Sequence, residues 1–184
     1  MSSETRSVLS RIVERLDQAG VPFMVAGSFA STYHGVPRTT NDIDIVIAPT
    51  EETLRAFLRL LPEQDYYVSP DAAFEALRRR TMFNVIDMET GWKMDLIIRK
   101  GRPFSQEEFR RRITARLFDV PVYLATAEDT ILSKLEWASL GGGSERQIRD
   151  AQGIITVKAD HIDRAYLERW VEELGVEDLW RRLG

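Results

Sequence analysis

The chain has no cysteine and only two histidines, His34 and His161, in 184 residues. A disulfide framework and a thiolate zinc site are therefore excluded, and a histidine-based metal cluster has too few ligands. Any metal held here is expected to be a hard cation bound by oxygen. No apolar run is long enough to cross a bilayer. The first residues, MSSETRSVLSRIVERL, interrupt any apolar stretch with charge every few positions, unlike a secretion signal. The expectation is a soluble cytoplasmic protein with no membrane partner. An excess of positive charge is also missing: 25 Lys and Arg stand against 29 Asp and Glu, a net charge of -4. That balance argues against coating duplex nucleic acid by bulk electrostatics. The runs Arg78-Arg79-Arg80 and Arg110-Arg111-Arg112 read as solvated faces of amphipathic helices rather than a basic groove.

What is present suits an ordinary globular domain, with 43% hydrophobic residues and a length that buries a core without staples but leaves no room for a second catalytic domain. Val8, Ile12 and Leu16 recur at helical spacing before Gly20, which predicts a helix over 4–19. PFMVAG reads as a short buried strand, SFASTYHG as a short helix ended by Gly35, and DIDIVI as an alternating strand. Thr50 caps a helix carrying Leu54, Phe57 and Leu58, and Ser69 caps another through about Arg79. FNVIDM and WKMDLII flank Glu89-Thr90-Gly91 as a hairpin. Ser105 with Glu108 reads as a capping box, PVYLA as a last strand, and Thr126 with Asp129 as a second capping box that opens a helical region. Gly141-Gly142-Gly143-Ser144 reads as a flexible connection between helices. The expected fold is mixed α/β (α+β), a mixed sheet flanked by helices over 1–125, followed by a helical part over 126–184.

The chemistry concentrates on three aspartates. Asp42 and Asp44 stand at i and i+2 on a strand, so both side chains share one face with Cα atoms roughly 6.6 Å apart. Like charges so placed raise each other's pKa unless a cation neutralises them. Magnesium suits such a pair, because it takes a few carboxylates plus phosphate oxygens and keeps its waters. Asp95 occupies the polar register of WKMDLII. If that strand lies beside DIDIVI, three carboxylates converge and can hold two magnesium ions roughly 3.5–4 Å apart. Gly27-Ser28, between a strand and a helix N-terminus, lets backbone N–H groups approach a phosphate. Lys93, beside Asp95, and Arg38, on the turn before Asp42, read as further candidates to contact phosphate.

The bland alternatives are specific too. Asp42 and Asp44 on an exposed edge strand would merely block aggregation. A dehalogenase-type phosphatase also uses DxD, but after an apolar strand, whereas RTTN precedes Asp42 here. Lys134 on an apolar helical stripe suits a snorkelling seam residue, and Asp150 beside Arg146 and Arg149 suits a surface carboxylate. His34 reads as structural, and Trp137, Trp170 and Trp180 as core or seam residues unless exposed.

The combination Gly27-Ser28, Asp42-x-Asp44 and Asp95 resembles the polymerase-β-like nucleotidyltransferase superfamily. The segments TAEDTILSKLEWA and RQIRD resemble the AbiEii-type toxin nucleotidyltransferases and their uncharacterised relatives, so that the likeness spans roughly residues 22–155. The resemblance implies a nucleotidyltransferase fold acting on a nucleoside triphosphate with Mg2+. Asp42, Asp44 and Asp95 would be the metal ligands, Lys134 would contact the triphosphate, and Asp150 would orient Lys134 or the acceptor. It further implies an RNA acceptor such as tRNA, or a protein acceptor, and an antitoxin as partner. A different class of reading keeps the fold as a nucleotide- or partner-binding module without turnover.

Overall fold

A computed structural model describes residues 3–141 and 145–183 of the chain. Seven strands form one sheet: β1 Phe23–Val25, β2 Asp42–Ile47, β3 Tyr66–Val68, β4 Met82–Asp87, β5 Lys93–Ile98, β6 Ile113–Leu117 and β7 Val120–Leu124. Their spatial order is β3-β4-β5-β2-β1-β7-β6. The sheet is mixed, with β2 parallel to β5 and β1 parallel to β7, while the other neighbours are antiparallel. Around it lie α1 Ser3–Gln18, α2 Gly27–His34, α3 Glu51–Arg59, α4 Pro70–Arg79 and α5 Pro103–Arg111. The chain continues through α6 Ala127–Leu140, α7 Glu145–Lys158, α8 Arg164–Leu174 and α9 Glu177–Arg181.

Alternation along β2 and β5 decides which face becomes core. Ile43, Ile45 and Ile47 on one strand and Met94, Leu96 and Ile98 on the other are buried in the main apolar cluster. Each such side chain contributes about 1.5–3 kcal/mol of burial. Val8, Leu9, Ile12 and Leu16 of α1 and Leu54 and Phe57 of α3 complete that cluster. The intervening residues of β2, Asp42, Asp44 and Val46, remain half-buried on the other face. A second cluster joins Ile131, Leu135 and Ala138 of α6 to Ile148, Ala151 and Ile154 of α7 and Leu167 and Trp170 of α8.

Several N-caps act as the sequence predicts, although the Thr126–Asp129 box lacks its reciprocal half, the Asp129 carboxylate accepting from Thr126 Oγ1 and not from the backbone N–H. The hydroxyls of Thr50, Ser69 and Thr126 accept from the backbone N–H of Thr53, Ala72 and Asp129. The Ser105–Glu108 box does not form. Pro103 stands at the first helical position, where its fixed φ starts the helix earlier and leaves Ser105 inside the first turn. Ser105 instead accepts from Arg102 Nε at 2.9 Å, and Glu108 accepts from Ser133 Oγ at 2.8 Å.

The strand β6 escaped the sequence reading. Its turn to β7 is Phe118-Asp119, with φ of 50° and 66°, and so lacks the Asn-Gly or Asp-Gly signature of a two-residue hairpin. Its residues are mostly exposed and follow an arginine run that reads as continuing helix. Those arginines are tied down: Arg78 and Arg79 pair with Glu75, Arg110 with Glu107, and Arg111 with Glu128 and Asp129. Of the glycine-rich connection, residues 142–144 lie outside the described residues. Among the described residues no helix is long and apolar enough to cross a membrane.

Candidate functional site

The parallel pairing of β2 with β5 sets Asp44 opposite Asp95 and Asp42 opposite Lys93. Register partners on adjacent parallel strands project to the same face, with strands roughly 4.8 Å apart. All three aspartates therefore share one face, and each has its own anchor. Asp42 Oδ1 accepts from Thr40 Oγ1 at 2.5 Å, and Asp44 accepts from the Ser28 N–H. Asp95, 6% exposed, accepts from Asn84 Nδ2 and, at 2.9 Å, from Lys93 Nζ.

Burial raises the Asp44 carboxyl above its ordinary range. The charges of Asp42 and Asp95 push it the same way, while Lys134 and the Ser28 N–H oppose them. The like-charge conflict anticipated for the DxD pair is thus present, with Asp95 part of it. Gly27 makes room for this carboxylate: its φ is +54°, and a Cβ built there would meet the Asp44 side chain. Among the described residues, no three Asp, Glu, His or Cys side chains already form a metal cage. Hard oxygen donors on one face still match a cation that completes its shell with phosphate and water.

A second set of groups closes over the same place. Lys134 Nζ pairs with Asp150 Oδ2 at 2.8 Å, linking α6 to α7. Arg38 Nε reaches the two oxygens of Asp150 at 3.1 and 3.2 Å, and its terminal nitrogen donates to Ser28 Oγ. Ser28, Arg38, Asp150 and Lys134 therefore form one connected chain of hydrogen bonds. Burial holds the Lys134 ammonium below its ordinary range despite the opposing pull of Asp150 and Asp44. Lys93, bonded to Asp95, is held above its ordinary range.

A cavity of about 530 Å3 opens onto these residues. Gly27, Ser28, Arg38, Asp42, Asp44 and Lys134 line it, together with Trp137, Glu108 and Gln147. The carboxyl of Glu108 is pushed up to about 8, chiefly by burial. Lys93, Asp95 and Asp150 are not part of this lining, although Asp150 is bonded to Lys134 and Arg38, which are. His34 is structural, with its Nε2 2.8 Å from the Ala125 carbonyl. Trp170 is buried, whereas Trp137 is 58% exposed at the cavity.

Sequence reasoning passed over Asn84, Thr40 and Gln147, and read Glu108 only as a helix cap. Asn84 had one signal, an amide in the polar register of a strand in hairpin with that of Asp95. Thr40 bonds Asp42 only two residues on, whereas Glu108 and Gln147 depend on contacts between elements that no local pattern encodes.

No protein-family model matches the sequence, and no curated protein matches it. Solved structures do. An antigenic nucleotidyltransferase-like protein from Paracoccidioides brasiliensis is 18% identical, with a TM-score of 0.60 over 99% of this chain and 93% of that one. ANT(2'')-Ia in complex with adenylyl-2''-tobramycin is 14% identical, with a TM-score of 0.59 over 99% and 100% of the two chains. The lincomycin-bound lincosamide antibiotic adenylyltransferase LnuA is 12% identical, with a TM-score of 0.55 over 85% and 98%. At such identities the likeness concerns the backbone, a mixed sheet flanked by helices: the chain has a nucleotidyltransferase-like fold.

Proposed function

We propose that this chain is a magnesium-dependent nucleotidyltransferase, moving a nucleotidyl group from a nucleoside triphosphate to an acceptor hydroxyl with release of pyrophosphate. The observation that carries the reading is the in-register placement of Asp44 and Asp95 on parallel strands, with Asp42 two residues along and a helix start opposite. Residues 1–125 would form the catalytic core, and residues 126–184 the helical part that contributes Lys134 and Asp150.

Asp42, Asp44 and Asp95 would hold magnesium, which when bound supplies charge neutralisation at the phosphates and a lowered pKa at the acceptor hydroxyl. The N-terminus of α2 at Gly27-Ser28, with Lys134 and Arg38, provides the positive side on which a triphosphate rests. Asp150 keeps Lys134 and Arg38 in place from behind. Lys93 and Asn84 hold Asp95 against the other two carboxylates. The acceptor oxygen forms a bond to the α-phosphorus as the bond to the bridging oxygen breaks, and its proton passes to Asp95.

The resemblance of the α6–α7 segment to the AbiEii-type toxins supports a toxin–antitoxin setting, with an antitoxin as partner and a hydroxyl of tRNA or of a protein as acceptor. Two of the structures sharing the fold carry antibiotics, so a small-molecule hydroxyl belongs in the same assay. Incubation with each labelled triphosphate, Mg2+ and total RNA, cell protein or hydroxylated antibiotics should give label transfer that Asp44→Ala abolishes. Saturable nucleotide binding without transfer to any acceptor would instead establish a binding module. Absence of Mg2+-dependent nucleotide binding would remove both readings.

A further inference from the structure

Lys134 and Asp150 bridge two helices that follow one another in the chain, and they mark a seam along the cavity wall. One turn towards the connection between the helices, the next positions on the same sides are Trp137 on α6 and Gln147 on α7. Both line the cavity. Trp137 keeps 58% of its surface exposed there, although large aromatic side chains ordinarily bury themselves. Gln147 has the opposite anomaly. Its amide oxygen is buried and accepts no hydrogen bond among the described residues, where the other unpartnered buried side-chain atoms, Arg99 Nε, Arg112 Nε and Trp170 Nε1, are all donors.

An uncovered indole and an amide acceptor lacking its donor, a turn beyond the lysine assigned to the triphosphate, have complementary needs. A flat heterocycle bearing an N–H on its edge would meet both. Resting on the proposed function, the geometry points to Trp137 and Gln147 as the nucleobase subsite, with adenine as the base. Trp137 stacks on the ring, and Gln147 accepts from the exocyclic amine while its NH2 donates to a ring nitrogen. Adenine can meet such an amide through either its Watson–Crick or its N7 edge, whereas the N7/O6 edge of guanine only accepts, so that guanine has to turn its N1–H/O6 edge to the amide. The single ring of cytosine or uracil offers less area to the indole.

Calorimetry on the full chain with Mg2+ and no acceptor would test this, using ATP, GTP, CTP, UTP and inorganic tripolyphosphate. ATP should bind about tenfold more tightly than GTP. Gln147→Leu should remove that preference, and Trp137→Ala should weaken all four nucleotides roughly tenfold, both leaving tripolyphosphate affinity unchanged. Trp137→Phe should restore most of the loss. Equal affinity for the four nucleotides, or variants that leave nucleotide affinities intact, would overturn the subsite while the transferase reading stands. Tighter binding of GTP, CTP or UTP than ATP would overturn the choice of base. If neither tripolyphosphate nor any nucleotide binds in Mg2+, the functional reading falls and takes the subsite with it.

Discussion

A Cβ placed on Gly27 would lie 1.8 Å from Oδ2 of Asp44, so the start of α2 and the centre of β2 fit only because residue 27 has no side chain. The positive φ of 54° there adds a second reason for glycine. Gly27→Ala should therefore cost roughly 1–3 kcal/mol of stability and displace the Asp44 carboxylate. Urea denaturation reads the first effect, and calorimetry of Mg2+-dependent nucleotide binding reads the second. A variant as stable and as competent to bind as the parent would show that this contact is dispensable.

Lys134 and Asp150 form a buried pair, with side chains 6% and 9% exposed. Asp150→Ala strands the ammonium and also removes the partner of Arg38, so a loss of about 3–5 kcal/mol is expected. Lys134→Met should cost less, because Arg38 still compensates Asp150. In the double variant the losses should fall short of additivity by about 1–3 kcal/mol, measured by equilibrium unfolding. Additive losses would mean that the two side chains are not energetically coupled.

Glu108 predicts a pH dependence of its own. Its ordinary value of 4.5 is pushed up to about 8, first by burial and also by the charge of Asp129, with Ser133 and Arg102 opposing. Between those values the folded chain retains a proton that the unfolded chain has released. Stability therefore falls as pH rises from about 4.5 to about 8, and the contribution is intact below that window. Glu108→Gln should flatten this part of the profile and be the more stable protein at pH 8 by more than about 1.4 kcal/mol, the equivalent of one pKa unit. Parallel profiles for the two proteins would show that the carboxyl ionises normally.

The residue order of β2, alternating Asp42, Asp44 and Val46 with Ile43, Ile45 and Ile47, already dictated a strand with one polar and one apolar face. Helix stripes and the caps at Thr50, Ser69 and Thr126 were equally legible, because each depends on residues within a turn or two of one another. The mixed α/β class and its helical C-terminal part followed from these local periods. β6 was not legible, since Phe118-Asp119 adopts a turn that its side chains do not advertise.

The tertiary structure alone decided which local features share a place. Parallel pairing of β2 with β5 brings Asp95 beside Asp44, and the packing of α7 against α6 brings Asp150 to Lys134. Folding also left Trp137 exposed while burying Trp170, and set Glu108 against Ser133. Periodicity specifies how a segment curls and which side it buries, because those are nearest-neighbour properties of the backbone. Which buried sides meet depends on the summed packing of the chain, and no single segment carries that information.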